Sequence, residues 1–438
     1  MVTLQEKLAS QIPQLREDIK SFIKKYGSTV ISEVTIAQAY GGMRGVKGMV
    51  CDTSLVNPNQ GLSVRGNSIL KLKDRTPEEI FYLLLTGELP SAEALTLLQN
   101  NFRTHAEVPQ YVWDVLSALP KDSHPMAMLS VGIMAMERES EFRKRYAAGM
   151  NKTDYWIPAL QDAITVLGRM TGLAAGIYRM RFDKGDRIAP RDDLDWSGNF
   201  AHMLGVDDPN GDFANLMRLD LVLHCDHEGG NVSANTCHVV GSALSDPFYA
   251  VAAGLNGLAG PLHGLANQMC LKFVLGIQKK YGGVPTDEQL REYSWKKLET
   301  GVIPGYGHAV LRTTDPRYTA FHEFGLKYCS ASPVFQIVDK LFKVVPDVLK
   351  KHGKAKSPWP NVDAASGSLL YHYGVTEFSF YTVFFGVSRA MGMLSQLVVN
   401  RAMGAAITRP KSVSTTWMRK MVDAIEAPPK QRDAGGGE

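Results

Sequence analysis

The chain has 438 residues, 45% of them hydrophobic and 21% charged, with a formal net charge of +4. That is ample material for a large core, and the length suits two domains or a large one with a smaller companion. The near balance of charge excludes a disordered polyelectrolyte and a dedicated nucleic-acid binder, while leaving room for anionic substrates at local basic sites.

In chain order, Leu4, Leu8, Ile12, Leu15, Ile19 and Phe22 recur at helical spacing. They predict an amphipathic surface helix with acidic residues, not a signal peptide. Val30 to Ala37 and Leu62 to Arg65 are the best strand candidates. Thr76, Pro77, Glu78 and Glu79 supply a cap, a first-turn proline and first-turn acids for a helix through Leu85, which Gly87 closes; Ser91 caps the next. Further helices are predicted over 107–118, 124–139, 158–182, 193–204, 213–224, 231–243, 246–257, 262–280, 286–300, 317–329, 333–350, 365–373, 376–403 and 412–425. The tail from Ala427 to Glu438, rich in proline, glycine and charge, reads as disordered. The chain is therefore expected to be all-α, without an internal repeat.

Phe378 to Val399 is apolar and long enough to span a bilayer. Arg389 stands at its middle, with Ser388, Ser395 and Gln396 nearby. A central arginine is costly in lipid, so the segment reads as a core helix with no membrane insertion. Arg389 then requires a buried anionic partner.

The five cysteines, Cys51, Cys225, Cys237, Cys270 and Cys329, are scattered and form no C-x-x-C pair. Neither a disulfide framework nor a zinc ribbon is expected, and a reducing compartment is. No phosphate-loop motif is present. The glycines near 254–264 and 301–307 lie between helical patterns, which does not support a dinucleotide fold.

Five constellations carry chemistry. In Gly305-Tyr306-Gly307-His308-Ala309-Val310-Leu311-Arg312-Thr313-Thr314-Asp315-Pro316-Arg317, glycines let the backbone bend and approach a ligand. His308 offers a donor or a proton near neutral pH, and Arg312 and Arg317 offer planar forks for carboxylate or phosphate. In Gly257 to Asn267, His263 stands at the predicted start of a helix, where the macrodipole favours a neutral ring able to polarise a carbonyl. A structural histidine in a tight turn is the competing reading.

In His224-Cys225-Asp226-His227-Glu228-Gly229-Gly230-Asn231, the spacing fits no strong metal template. A histidine contacting an anionic substrate is favoured over a metal, with a structural histidine as competitor. In Ser357-Pro358-Trp359-Pro360-Asn361-Val362-Asp363, two prolines stiffen the approach to an aspartate. Its carboxyl is either a base raised by apolar surroundings or a helix cap. Finally, Arg389 and Arg409 with Arg317 could bracket two carboxylates, or be ordinary salt-bridge residues. The cluster Lys350 to Lys356 is either a phosphate contact or a solvated helix end.

The segments GLAGPLHGLAN, PGYGHAVLRTTDPRY, KSPWPNVDAASG, FGVSRAMG and HCDHEGGNVSAN, in this order-preserving setting, resemble the mitochondrial type of citrate synthase. The likeness runs from YGGMRGVKGMVCDTS near residue 40 to TRPKSVST near 410. It implies condensation of acetyl-CoA with oxaloacetate and hydrolysis of citryl-CoA to citrate and coenzyme A, the first step of the tricarboxylic acid cycle. The implied roles are Asp363 as base, His263 as donor to the thioester oxygen and His308 as donor to the ketone of oxaloacetate. His227, Arg317 and Arg389 would bind oxaloacetate within one subunit, and Arg409 would reach in from the second subunit of a homodimer. Coenzyme A would meet the backbone of Val302, Ile303, Pro304, Gly305, Tyr306 and Gly307, and Arg312, Lys356, Arg44, Lys354 and Lys152. Lys152 stands where the family tends to have arginine, keeping the charge without the fork.

The resemblance also implies a large helical domain of 1–264 and 380–438, a small helical domain of 265–379, and an active site in the cleft between them that closes on oxaloacetate. No metal or redox cofactor is implied. The implied location is the mitochondrial matrix in a mature form without transit peptide, with peroxisome or cytoplasm as alternatives; the terminal Gly435-Gly436-Gly437-Glu438 lacks the S-K-L address. Asn235 and Ala365 stand where animal members carry histidines. Two rival functions follow from the same residues: 2-methylcitrate synthase, acting on propionyl-CoA, and a catalytically silent binding homologue.

Overall fold

The structure, a computed structural model, describes residues 2–426, so the predicted tail lies outside the described residues. Helices dominate. Thr3 and Thr76 close capping boxes with Glu6 and Glu79, Pro77 opens the helix Pro77–Thr86, and Gly87 ends it with φ +80°. Only a residue free of Cβ strain adopts that φ cheaply, which is why the glycine was a readable stop signal.

Two long helices form the centre. Trp156–Arg181 and Tyr381–Met403 are apolar around most of their circumference, so they bury on all sides and pack on one another. Pro77–Thr86, Pro125–Ala135, Trp196–Leu204, Asp212–Leu223, Val232–Ser242 and Pro247–Leu258 surround them. The apolar segment around Arg389 is thus a buried core helix, as its polar residues predicted. A second group, Ala266–Tyr281, Asp287–Thr300, Pro316–Tyr328, Pro333–His352 and Asp363–His372, packs chiefly on itself.

One small antiparallel sheet joins the two groups. Its strands β1 (Ser54–Asn57), β2 (Gly61–Val64) and β3 (Asn67–Ser68) lie in the order β1-β2-β3. Its turn seats the segment that carries Arg317. Gly61, at φ +83°, lies so close to Pro316 that a Cβ would come within 2.4 Å of the ring. Next to it, the Arg312 N–H donates to the Pro58 carbonyl at 2.8 Å.

Several boundaries depart from the sequence expectations. Val30 to Ala37 is not a strand: residues 28–35 are irregular and the helix Ile36–Tyr40 follows, capped by Thr35. The valines and isoleucine that suggested a strand have no neighbouring strand to pair with and are exposed. The amphipathic stripe of Leu4–Tyr26 is buried only at Leu4, Leu8 and Ile12; Leu15 and Phe22 face solvent. The helix expected over 124–139 ends at Ala135 and tightens into a 3-10 turn, Met136–Glu139. β1, β3 and the helices Ile69–Leu72 and Glu141–Ala147 were not anticipated. Each is too short to show a period.

Candidate active site

The loop bearing His308 and the loop bearing Asp363 are stitched together by backbone. The Gly307 N–H donates to the Trp359 carbonyl at 3.0 Å, and the Asn361 N–H to the Gly305 carbonyl at 2.9 Å. Asn361 Nδ2 donates to the Gly307 carbonyl at 2.9 Å, and the Asp315 N–H to the Pro360 carbonyl at 3.2 Å. Gly305 makes the crossing possible. Its φ is +80°, and a Cβ there would lie 2.8 Å from Cys270 Sγ and 2.9 Å from Ala364 Cα. The two motifs, about fifty residues apart in sequence, are thereby one structure.

His308 is held as a neutral donor. Its Nδ1 accepts from the Val310 and Leu311 N–H groups at 3.0 and 2.9 Å, so the ring proton resides on Nε2. Burial, then Arg317, pushes its pKa below the ordinary histidine range.

His263 is held the same way with the opposite tautomer. Its Nε2 accepts from the Ser233 N–H at 3.2 Å, with Ser233 Oγ at 3.0 Å, leaving the proton on Nδ1. Burial, then Arg389, brings its pKa down to about 4. The expected helix start at His263 is corrected: residues 259–265 form a turn and the helix begins at Ala266. The helix N-terminus that this ring meets, and that fixes its tautomer through Ser233, belongs to Val232–Ser242, a different element.

Asp363 opens the helix Asp363–His372 as its first residue, and its N–H donates to Asn361 Oδ1 at 3.0 Å. It is therefore not the cap, one of its two sequence readings. Burial raises its carboxyl above the usual range, partly offset by His224 and Arg317. That is the environment a carbon-acid base needs.

The two buried arginines of this cluster differ. Arg317 is gripped by Asp315, with Nε 3.1 Å from Oδ1 and Nη2 2.7 Å from Oδ2. Arg389 is 1% exposed and, among the described residues, has no carboxylate within ion-pair distance. The buried anionic partner that its sequence context required is absent. Its Nε donates to the His224 carbonyl at 3.1 Å, and Nη1 to Asn231 Oδ1 at 3.1 Å and Ser233 Oγ at 3.4 Å. Its guanidinium lies 4.8 Å from the centre of the Phe385 ring. Burial pulls its pKa down to about 10. The nearby Asp226 offsets part of that shift by its charge but makes no direct hydrogen bond to Arg389; its oxygens accept from Thr53, Ser54 and Gln396.

His227 completes the cluster, its ring centre 5.8 Å from that of His308. Its Nε2 is buried and has no partner among the described residues. Burial, then Arg317 and Arg389, holds its pKa well below the usual range. A neutral ring with an unsatisfied nitrogen, two buried cations and a carboxyl therefore face one another. Among the described residues no group of three His, Cys, Asp or Glu side chains is arranged to hold a metal ion. The metal reading of the His224–Glu228 cluster has no support: Glu228 instead accepts from the Val56 N–H at 2.8 Å.

The remaining sequence-predicted residues sit outside this cluster. Val302 is 76% exposed, whereas Ile303 and Gly305 are buried anchors of the same loop; Pro304, Tyr306 and Gly307 are half-buried. Arg312 curls back on its own turn, donating to the Leu311 carbonyl at 2.8 Å. Lys354 and Lys356 are exposed between Pro333–His352 and Trp359, while Lys350 lies over the Trp359 ring at 4.7 Å. Arg44, Lys152 and Arg409 are exposed and are not brought into the cluster.

Sequence reasoning missed Asn231, Ser233 and Phe385, which orient Arg389 and His263. Asn231 had a readable signal, its position as cap of Val232–Ser242.

Residues 42–411 match the family described as citrate synthase, C-terminal domain. The chain is 48% identical to the mitochondrial citrate synthase of Saccharomyces cerevisiae over 97% of its own length and 91% of the relative's. It is 47% identical to that of Xiphias gladius over 96% of its own length and 92% of the relative's. Among solved structures, citrate synthase from Pyrobaculum aerophilum superposes with a TM-score of 0.77 at 27% identity, covering 88% of this chain and 95% of the other. Citrate synthase from Thermoplasma acidophilum, solved in a ternary complex with carboxymethyl coenzyme A and oxaloacetate, shares the fold with a TM-score of 0.74 at 23% identity, covering 87% of this chain and 96% of that one.

Proposed function

The chain belongs to the citrate synthase family and condenses acetyl-CoA with oxaloacetate, and we propose that it does so with the buried cluster just described. The observation that carries the assignment is Arg389, a buried cation with no carboxylate partner, beside two histidines whose backbone bonds fix them as donors.

Oxaloacetate binds with its carboxylates toward Arg389 and Arg317 and a polar atom against His227. His308 donates its Nε2–H to the ketone oxygen. Asp363 removes a proton from the acetyl methyl group, and His263 donates its Nδ1–H to the thioester oxygen as negative charge grows there. A neutral donor suits this step, since a positioned hydrogen bond stabilises an enolate without first losing a proton. The enolate carbon attacks the ketone carbon, His308 delivers its Nε2 proton to the alkoxide as it forms, and the proton taken up by Asp363 returns to the His308 ring, so both groups are restored. Water then cleaves the thioester of citryl-CoA. Both electrophilic roles fall to side chains, and we assign the reaction no metal or prosthetic group.

Coenzyme A lies along the loop Val302 to Gly307, with Arg312, Lys356, Lys354, Arg44 and Lys152 toward its phosphates. Two lobes, 1–264 with 380–438 and 265–379, form the cleft. The self-contained packing of the helices from Ala266 to His372 supports that division. Closure on oxaloacetate then excludes water before the thioester enters.

The protein acts in the mitochondrion, as its relatives' names indicate, and we place it in the matrix. We propose a homodimer in which Arg409 enters the partner's site. Exposed Phe22, Val30, Ile31, Trp417 and Ile425 flank the two ends of the chain and support such an interface. Sedimentation should therefore give twice the chain mass. Mixing Arg409→Ala chains with Asp363→Ala chains should restore about a quarter to a half of wild-type turnover per dimer site, because one composite site regains both residues. A monomer, or mixed dimers as inactive as either parent, would refute the shared site.

The direct test is free-thiol release from acetyl-CoA with and without oxaloacetate. Release that depends on oxaloacetate supports the condensation. Release without it indicates a thioesterase, and preference for propionyl-CoA indicates the methylcitrate reaction. That preference is decided by pocket volume, where one methylene is worth about 1–3 kcal/mol.

A further inference from the structure

Beyond the core helix Tyr381–Met403 the chain runs exposed and without regular structure from Ala405 to Ser414, and this arm carries Arg409. Among the described residues, the hydrogen bonds from 406–414 to the helices beneath fall on Thr408, the residue just before Arg409. The Thr408 N–H donates to Ser242 Oγ at 3.0 Å, and Ser242 in turn donates to the Val239 carbonyl at 2.7 Å. Thr408 Oγ1 lies 2.9 Å from His238 Nε2. On the other side of the half-buried ring, Asn400 Nδ2 donates to His238 Nδ1 at 2.9 Å. Nδ1 is thus the acceptor, and the ring proton stands on Nε2, facing the Thr408 hydroxyl. Burial holds the His238 pKa below the ordinary histidine range, as this arrangement requires.

We propose that His238 is a positioning residue: it pins Thr408 so that Arg409 leaves one subunit in the direction that carries it into the partner's site. Pro410 adds a second constraint. A residue before proline is confined largely to extended backbone, so Arg409 has little freedom of its own. One anchored residue followed by one stiff residue sets where the guanidinium emerges. Without the anchor an exposed arm samples many directions, and placing Arg409 against each incoming oxaloacetate costs conformational entropy.

The helix that carries His238 also serves its own subunit. Val232–Ser242 has Ser233 near its start, bonded to His263 and Arg389, and His238 and Ser242 toward its end. Damage at His238 therefore has two routes outward: along the helix to its own subunit's site, or through the arm to the partner's. The inference is the second route, and it rests on the reading that Arg409 enters the partner's site. Dimers built from two different variants tell the routes apart.

Steady-state kinetics would be measured on His238→Ala, Thr408→Val and Arg409→Ala homodimers, and on heterodimers pairing each with an Asp363→Ala chain, isolated through two different affinity tags. In such a heterodimer the working site keeps its own Asp363 and receives its arm from the Asp363→Ala chain. The His238→Ala and Thr408→Val homodimers should raise the KM for oxaloacetate about threefold to tenfold, the effect of losing one hydrogen bond, and Arg409→Ala should raise it further. In all three heterodimers that KM should return to within about 1.5-fold of wild type. Added to Arg409→Ala, His238→Ala should change it by less than about 1.5-fold, because no guanidinium is left to place. His238→Gln keeps an amide donor toward Thr408 and should recover part of the loss.

A His238→Ala heterodimer that keeps the raised KM, while the Arg409→Ala heterodimer recovers, would overturn the positioning role alone and assign His238 to its own subunit's helix. An Arg409→Ala heterodimer that fails to recover would overturn the shared site and this inference with it. A KM unmoved by His238→Ala, or moved equally with and without Arg409, also overturns the inference. Should His238→Ala fail to fold, Thr408→Val, on an exposed residue, carries the same readouts.

Discussion

Replacing Asp363 by alanine is expected to lower kcat about a thousandfold while changing oxaloacetate affinity by less than about threefold. The split follows from where the residue sits. Of the groups assigned to oxaloacetate, Arg317, Arg389 and His308 are held by other partners, and none of the four, His227 included, hydrogen-bonds to Asp363, so all survive the substitution. Only the acceptor for the methyl proton is lost.

The companion variant Asp363→Asn separates catalysis from folding. Burial raises the carboxyl in the native state, so the folded protein binds this proton more tightly than the unfolded chain does. The carboxyl's contribution to stability is then complete below the unfolded carboxylate pKa and is lost as pH rises through the raised native one. At neutral pH the residue is a burden on the fold. Asp363→Asn should therefore melt no lower than wild type at pH 7 while remaining inactive. Calorimetry beside the thiol-release assay checks both. A lower melting temperature with retained turnover would remove Asp363 from the base position.

How much of this site was readable in the sequence depends on whether the information was local. The tautomer of His308 is local: its Nδ1 is satisfied by N–H groups two and three residues onward, and a glycine-rich turn around a histidine announces such a geometry. The tautomer of His263 is not. It depends on Ser233, thirty residues earlier and on another helix. The right protonation state followed from the wrong helix, because any helix N-terminus disfavours a cation.

The helical cores were legible wherever apolar residues recur over several turns, as in Trp156–Arg181, or where caps and prolines mark the start, as in Pro77–Thr86. β1 through β3 span only a few residues each and take their stability from the loops they brace. The run Val30 to Ala37 has strand composition without a strand beside it. Propensity of that kind registers a half-buried surface, and this segment has none within its own chain.

Arg389→Leu is expected to raise the KM for oxaloacetate by about thirtyfold to several thousandfold, corresponding to about 2–5 kcal/mol for truncating a buried charge pair. A structural arginine and a ligand-binding one differ in the sign of the accompanying stability change. If Arg389 existed to hold the core together, its removal would leave a buried carboxylate without a counter-charge and destabilise the fold strongly. No carboxylate lies within ion-pair distance among the described residues, and the buried Asp226, which feels the Arg389 charge, keeps its own hydrogen bonds from Thr53, Ser54 and Gln396; the guanidinium is held by a carbonyl, an amide oxygen and a hydroxyl, over an aromatic ring. Leucine is apolar and somewhat smaller, and it releases a desolvated cation whose burial already pulls its pKa down to about 10. The variant should therefore melt within a few degrees of wild type while losing oxaloacetate. Adding oxaloacetate should raise the melting temperature of wild type and leave that of the variant unmoved, because only a ligand that binds the native state shifts it. A variant that unfolds at the assay temperature, or one stabilised by oxaloacetate as strongly as wild type, would return Arg389 to the core and leave the substrate carboxylate to Arg317 alone.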